Sequence, residues 1–566
     1  MNIKTAMSIS VIAAALVACD SGDVKIQPTT VDNSQDNSVT NPPPTQTTNP
    51  NEACASYVNS GGQLIRGVAQ GANCFYSESF VGAGNNLRVD MTIPALPNGG
   101  AHIFDGSLFV GETYNTNAEM IAAGIFEGGD GPKLTIEAGA TLAFQSNADF
   151  MIINRGSQLF AVGTATAPIT ITSVTDIDGT VGPEDVQQWG GLVINGFGVT
   201  NNCAYTGSVA GGDLALSGEC HVDAEGAAGL DESQYGGDNN DDSSGRMEYL
   251  VVKHTGAQVG NGDELNGISF GGVGRNTVIN NLQVYSTFDD GIELFGGAVN
   301  INNFVAVYAR DDSIDIDEGY SGTISNALVI QSAGDGAHCI ESDGIAGFSG
   351  LTGPAVEAVI AQGINSRPVI NNLTCIISPT VSVDDGGTGT HESGAGWRFR
   401  EGIFPTINNS MVIGSFSANN TSSGSDNYCL RFDNRTQQAA LDGDVVLNNV
   451  IYACAEARND NLGNGTTEVD FAVASGNIFA SIASGSAVSA TAVSNPELQL
   501  LEGSIPIYSI AYATSQVDGA APGAGSDPAP ATFIGAVSLG GTDWTQNWTY
   551  GIHPGRRAQP LWFEGL

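Results

Sequence analysis

Val278-Ile279-Asn280-Asn281-Leu282 returns along the chain as Asn300-Ile301-Asn302-Asn303-Phe304, Val369-Ile370-Asn371-Asn372-Leu373, Thr406-Ile407-Asn408-Asn409-Ser410 and Val446-Leu447-Asn448-Asn449-Val450. Aligning Ile324-Ser325-Asn326-Ala327 with them puts Asn281, Asn303, Asn326, Asn372, Asn409 and Asn449 in one column, with gaps of 22, 23, 46, 37 and 40 residues. An Asn-Asn pair inside an apolar run recurs this way only when coils stack in register, and repeats of twenty-odd residues are those of a solenoid. Buried Asn side chains in successive coils can bond to one another and to turn backbones, so the column itself reads as scaffold.

Outward from the column the same grammar continues. Lys133-Leu-Thr-Ile-Glu-Ala-Gly, Phe150-Met-Ile-Ile-Asn-Arg-Gly and Pro168-Ile-Thr-Ile-Thr are short β-branched runs broken by Gly or Asn. No stretch carries convincing helical periodicity. With 75 glycines and coils of this length, the chain reads as all-β, a right-handed parallel β-helix, ahead of a propeller, whose blades repeat near forty residues.

The segment from about 133 to 460 resembles the pectate-lyase-like right-handed β-helix superfamily. Within it and beyond, Trp189-Gly-Gly-Leu-Val-Ile-Asn-Gly, Asp289-Asp-Gly-Ile-Glu-Leu-Phe-Gly-Gly and Thr542-Asp-Trp-Thr-Gln-Asn-Trp resemble a group of secreted β-helix proteins, often lipoproteins, of Gram-negative bacteria. The resemblance implies the fold. It does not imply one activity, because the superfamily hosts lyases, hydrolases, esterases, adhesins and binders that catalyse nothing.

The ends divide the chain further. Lys4, the apolar run Val11 to Val17 and Leu16-Val17-Ala18-Cys19 read as an exported leader over 1–18, closed by a lipobox. Cys19 is then the expected lipidation site, an anchor to a membrane, with the outer membrane or cell surface as the expected location. Residues 19–53 are nearly devoid of apolar side chains and contain Pro42-Pro43-Pro44, the composition of a disordered tether. The expected order is then an N-terminal cap over 54–132, the β-helix over 133–480 and a C-terminal cap over 481–566, with Trp544, Trp548 and Trp562 as cap core rather than a sugar platform.

Eight cysteines remain after Cys19: Cys54, Cys74, Cys203, Cys220, Cys339, Cys375, Cys429 and Cys454. An even number in an exported chain reads as disulfides, with nearest-neighbour pairing favoured; Cys54 with Cys74, and Cys429 with Cys454 one coil apart, are the expected examples. Sixty acidic residues against 14 Arg and 4 Lys give a net charge of −42, which argues against a nucleic-acid partner.

The acids are not evenly spread. Asp289-Asp290 and Asp311-Asp312 follow the asparagine column by eight and nine residues, and Asp335 follows Asn326 by nine, so Asp290, Asp312 and Asp335 are expected to share a turn. The next strand reads Ile292-Glu-Leu, Ile314-Asp-Ile-Asp, Ile340-Glu-Ser-Asp, Trp397-Arg-Phe-Arg and Leu430-Arg-Phe-Asp. Strand alternation points the apolar residues inward. Two outward columns result: Glu293, Asp315, Glu341, Arg398 and Arg431, and beside it Asp317, Asp343, Arg400 and Asp433, with Arg435 close by.

Coils stand about 4.8 Å apart, and like charges directly opposed on neighbouring strands destabilise a sheet. A column of three acids therefore calls for a bound cation or for carboxyls that hold their protons; a solvated acidic face stays open as the bland alternative. Oxygen ligands without clustered His or thiolate favour calcium, and forked guanidiniums beside acids suit a sugar acid or sulfate. The acidic loop from Asp231 resembles a calcium loop only in composition. Insertions at 344–367 and 378–396 flank the face, the second carrying Asp384, Asp385, His391 and Glu392.

Two functions fit this face. One is a tethered lipoprotein that captures glycans or other extracellular ligands, calcium-assisted, with a place beside an outer-membrane transporter as one setting. The other is a polysaccharide lyase or glycoside hydrolase acting on acidic polysaccharide. The Asp-Asp turns resemble those of polygalacturonases, but the Gly-His-Gly and Arg-Ile-Lys of that pattern are absent, so binding is the favoured expectation.

Overall fold

In a computed structural model, residues 50–80, 84–225, 233–259, 263–378, 394–413, 428–454, 461–481, 510–511, 533–537 and 542–563 are described. They belong to one compact unit, residues 49–566. Cys19, the leader, residues 19–49 of the expected tether, Asp231, Asp384, Asp385, His391 and Glu392 lie outside the described residues.

Nine parallel strands form the sheet that carries the predicted columns: β1 (Leu108–Val110), β2 (Met151–Ile153), β3 (Leu192–Asn195), β4 (Ile268–Gly271), β5 (Ile292–Phe295), β6 (Ile314–Asp317), β7 (His338–Asp343), β8 (Ala395–Arg400) and β9 (Leu430–Phe432). Stacking order follows chain order, one strand per coil. The rest of each coil runs through an 18-stranded sheet, where strands such as Val278–Thr287 and Asn300–Ala309 pair in parallel along their length.

Those long strands turn a corner at the asparagine column. Asn281, Asn303, Asn326, Asn372, Asn409 and Asn449 all have φ between 53° and 60°, a left-handed conformation that asparagine tolerates better than most side chains. The same side chains bridge the coils. Asn303 Nδ2 donates to Asn281 Oδ1 at 3.0 Å and Asn326 Nδ2 to Asn303 Oδ1 at 3.1 Å. One residue type thus suits the bend and bonds to its counterpart in the next coil, each bond contributing on the order of 1 kcal/mol.

The interior is apolar and aromatic. Ile292, Leu294, Ile314, Ile316, Trp397, Phe399 and Phe432 are completely buried, and Trp189 lies flat on Phe144 with centroids 4.8 Å apart. The glycine after Trp189-Gly190 is required by close approach: a Cβ on Gly191 would stand 2.1 Å from the Asn266 carbonyl oxygen. Disulfides join Cys54 to Cys74, Cys203 to Cys220 and Cys339 to Cys375, each with its nearest neighbour in sequence, and Cys429 is also disulfide-bonded.

Two expected boundaries move. Coils begin well before Lys133: Asn73–Tyr76 pairs in parallel with His102–Phe104, and that strand with Thr141–Phe144. The end cover is reduced to the antiparallel pairs Ser56–Val58 with Leu64–Arg66 and Val68–Gln70 with Asn73–Tyr76. At the other terminus, the described residues from Phe533 onward lie along the flank of the large sheet instead of over an open end. Trp548, Ile552, Leu561 and Phe563 pack on Val251, Tyr285, Val307, Ile330, Ile376 and Ile413. Tyr550 and Gln283 exchange two hydrogen bonds of 2.7 Å, and Trp562 Nε1 donates to the Gln331 carbonyl at 2.8 Å.

Candidate functional site

The site grows from strand alternation and register. In β6 Ile314 and Ile316 are buried while Asp315 and Asp317 point out, and β8 does the same with Trp397 and Phe399 against Arg398 and Arg400. Glu293 pairs with Asp315, Asp315 with Glu341, Glu341 with Arg398 and Arg398 with Arg431, so these five side chains form one column. Asp343 pairs with Arg400 in the second. The Asp289-Asp290-Gly turn is tight because a Cβ on Gly291 would meet the Ser313 carbonyl oxygen at 2.4 Å.

The turn before each strand makes a third column. The amide of Asp290 donates to Asn266 Oδ1 at 3.2 Å, that of Asp312 to Asp290 Oδ1 at 3.0 Å, and that of His338 to Asp312 Oδ1 at 2.6 Å. Asn266, Asp290, Asp312 and His338 thus occupy equivalent places. Asp335 does not join them. It faces Arg310 at 3.5 Å, because the turn from Ile330 to His338 is longer than the turn from Ala309 to Ile314. Counting nine residues from Asn326 therefore stops short of the shared position.

The turn column from Asp290 to His338, the strand column from Glu293 to Arg398, and Arg400 line a cleft of about 370 Å³. Its upper part is all carboxylate. Ligand atoms of Asp290, Glu293 and Asp315 lie within 4.8 Å of one another, as do those of Asp289, Asp290 and Asp311. Burial, then Asp289, Asp315, Asp312 and Asp311, push the Asp290 carboxyl well above its ordinary range. Burial and Glu225 do the same to Glu293, and burial and Glu341 to Asp315. Asp289 is raised to about 7 by burial and by Glu225, Glu264 and Asp312. Burial and Glu318 raise Asp317.

The lower part is matched. Arg398 reaches Glu341 at 2.9 Å and Asp433 at 3.0 Å; Arg400 reaches Glu341 at 2.7 Å and also bonds Asp343; Arg431 reaches Asp433 at 2.7 Å. Burial works against the charge of Arg398 and Arg400, but the acids beside them outweigh it and hold both pKa values up. Arg435 is not part of this cluster. It opens the helix α2 (Arg435–Asp442) and pairs with Glu357 at 2.7 Å, on the helix α1 (Gly353–Gln362) of the first insertion.

That insertion leans away from the cleft, against a third one that sequence reasoning did not single out as a wall. Asn201 Nδ2 donates to the Gly344 and Ile364 carbonyls at 2.9 and 3.0 Å, and Val199, Tyr205 and Ile364 form a small apolar cluster. The inserted segment stapled by Cys203 and Cys220 carries Glu225 to the cleft, where Asn266 Nδ2 donates to it at 3.3 Å and to Glu293 at 2.6 Å. The nearby cysteine pair was the available signal. From the sequence His338, in the turn before Cys339, reads as a general acid or base or as an ordinary turn residue; in the structure it is buried with Nδ1 2.9 Å from Asp312 and Nε2 2.7 Å from the Tyr428 hydroxyl.

Among the described residues no Lys, Arg or His side chain lies within 4.0 Å of the carboxylates of Asp290, Glu293 or Asp315. The donor set is oxygen, clustered, largely desolvated and electrically unbalanced, which fits a hard divalent cation. A family described as pectate-lyase like beta helix domain matches residues 107–488. No curated protein and no solved structure matches the chain.

Proposed function

We propose that this chain, which belongs to the pectate-lyase-like β-helix family, binds acidic polysaccharide through calcium held on the carboxylate end of its cleft. The observation that carries this reading is the imbalance along one face. Asp290, Glu293 and Asp315 converge within 4.8 Å, while two and three coils beyond Asp315 the guanidiniums of Arg398, Arg400 and Arg431 are each matched by an acid. A calcium ion in the first part would compensate the acids and leave coordination positions for sugar carboxylates. Arg398 and Arg400 line the same cleft, with Arg431 beside Arg398 in the column, and these guanidiniums can fork onto an anionic group.

Binding is favoured over chain cleavage by what the proton-transfer candidates are doing. An eliminating base must give up its proton, whereas the acids beside Arg398 and Arg400 make each guanidinium hold its proton more firmly. Both nitrogens of His338 are engaged by Asp312 and Tyr428. The test is to incubate the chain from Asn49 onward with a panel of acidic polysaccharides, with and without calcium, following retention and the appearance of reducing or unsaturated ends. Calcium-dependent retention without new ends is expected, weakened at least tenfold in the Arg398→Ala/Arg431→Ala double variant. New ends that vanish in that variant would make the protein a lyase or hydrolase.

The same proposal places the protein on the cell surface, tethered by a lipid on Cys19. Its support is the sequence Leu16-Val17-Ala18-Cys19 followed by a polar, proline-containing stretch. Cells fed radiolabelled palmitate should label the wild-type chain and not Cys19→Ser. Equal labelling of both would remove the anchor.

A further inference from the structure

The lower rim of the cleft contains a ligand set of a different chemical kind. His338 opens β7, and its side chain is 2% exposed. Nδ1 stands 2.9 Å from Asp312 Oδ1 and 3.7 Å from Glu341 Oε1, while Nε2 stands 2.7 Å from the hydroxyl of Tyr428, itself buried. When Nε2 donates its proton to the Tyr428 oxygen, the Nδ1 lone pair faces the two carboxylates. Three acceptors then converge on one point, with their ligand atoms within 4.8 Å of one another. Arg398 already meets Glu341 Oε1 at 2.9 Å, and what stands between Nδ1 and Asp312 is either a proton or a metal ion that all three side chains reach.

The spacing suits the metal. Ligand atoms about 2.1 Å from one ion stand roughly 3.0 to 3.4 Å apart in octahedral or tetrahedral geometry, and the two measured separations, 2.9 and 3.7 Å, bracket that range. An imidazole whose far nitrogen is tied down is also the usual arrangement of a metal-bound histidine, since the outer bond fixes ring and tautomer. Further outer bonds are in place: Arg398 holds Glu341 at 2.9 Å, and the Arg431 guanidinium lies over the Tyr428 ring at 5.9 Å. All three ligands line the cleft, so the remaining coordination positions open toward it.

We propose that Asp312, His338 and Glu341 form a second metal centre, one that takes a divalent transition ion of the zinc or manganese class. Calcium takes oxygen ligands, whereas one imidazole with two carboxylates is a set that transition ions accept. Binding displaces the single proton otherwise shared by Nδ1 and Asp312, and Glu341 Oε1, which accepts from Arg398, takes the ion as a second partner. This centre is independent of the calcium reading, because it uses neither Glu293 nor Asp315.

Cobalt(II) tests it in the chain from Asn49 onward, with calcium in excess. One equivalent should give a visible d–d absorption that is lost in His338→Gln and kept in Asp315→Asn. The rise in melting temperature produced by calcium should persist in His338→Gln, which also shows that this variant folds. Tyr428→Phe keeps the ligand but removes its outer bond, and should weaken cobalt at least tenfold; it carries the test alone if His338→Gln does not fold. An unchanged spectrum in these variants, no spectrum in the wild type, or one-for-one displacement of cobalt by calcium would each overturn the second centre.

Discussion

Asp315→Asn should melt higher than the wild type in calcium-free buffer and should lose most of the stabilisation that calcium gives the wild type. The two effects have opposite signs because Asp315 sits between Glu293 and Glu341 in one column. Two unit charges about 5 Å apart at an effective dielectric near 20 repel by roughly 3 kcal/mol, part of which proton uptake relieves. Asparagine keeps the shape and removes the repulsion, for a net gain of about 1–2 kcal/mol without the ion. With the ion, a charged ligand is missing, and affinity should fall on the order of 100-fold.

The pH profile gives the same contrast a second readout. Asp289 is raised from 3.8 to about 7 in the folded chain, so the folded state binds the proton more tightly than the unfolded state does. Stability from this group is fully present below about pH 4 and is lost as pH rises through about 7. A rise of that size corresponds to roughly 4 kcal/mol, and partial exposure of Asp289 reduces that to about 2 kcal/mol. Asp290, Glu293 and Asp315 are raised in the same direction. Melting temperature without calcium should therefore fall between about pH 4 and 8, and calcium should flatten the curve by stabilising the ionised carboxylates. Differential scanning calorimetry decides the matter. A lower melting point for Asp315→Asn without calcium, together with an undiminished calcium response, would remove the cation reading.

How much of this was legible follows from which distances are fixed by period and which by loops. The asparagine column set the register correctly because the left-handed bend recurs at each of its six positions, and from it the pairing of Glu293 with Asp315 and of Glu341 with Arg398 could be counted along rigid strands. Counting failed where a turn changed length. Asp335 fell out of the turn column and His338 took its place, so a site read as purely oxygen gained an imidazole. Arg435 shares the local sequence of Arg431 but begins a helix, which turns it toward Glu357. For Glu225 the sequence offered only the cysteine pair 17 residues apart that precedes it, which marks a stapled insertion without fixing where the insertion lies against the cleft.

The flank strap left a trace in the sequence that cap reasoning passed over. Phe304-Val-Ala-Val-Tyr-Ala and Ala327-Leu-Val-Ile do not alternate apolar with polar, and continuous apolar strands are those buried on both faces. The outward residues Tyr285, Val307, Ile330, Ile376 and Ile413 form one apolar column across five coils, and the C-terminal segment covers it. Trp548, completely buried, is the centre of that cover: it meets Tyr249 edge-on at 5.8 Å and donates to the Trp544 carbonyl at 2.7 Å. Trp548→Ala should cost about 3–5 kcal/mol, more than a single coil-to-coil contact, because the strap bridges coils that otherwise touch only their neighbours. Loosening it would uncover an apolar face that a solenoid cannot rebury by local adjustment, so the variant should bind a hydrophobic dye and self-associate below its melting point. A cap confined to the last coils would behave differently, fraying one end and leaving the Tyr285 to Ile413 column covered. Hydrogen exchange separates the two cases: faster exchange in Val278–Thr287 and Asn300–Ala309, far from the C-terminal coils in stacking order, is the expected result, and unchanged exchange there would refute the strap's role in holding the solenoid together.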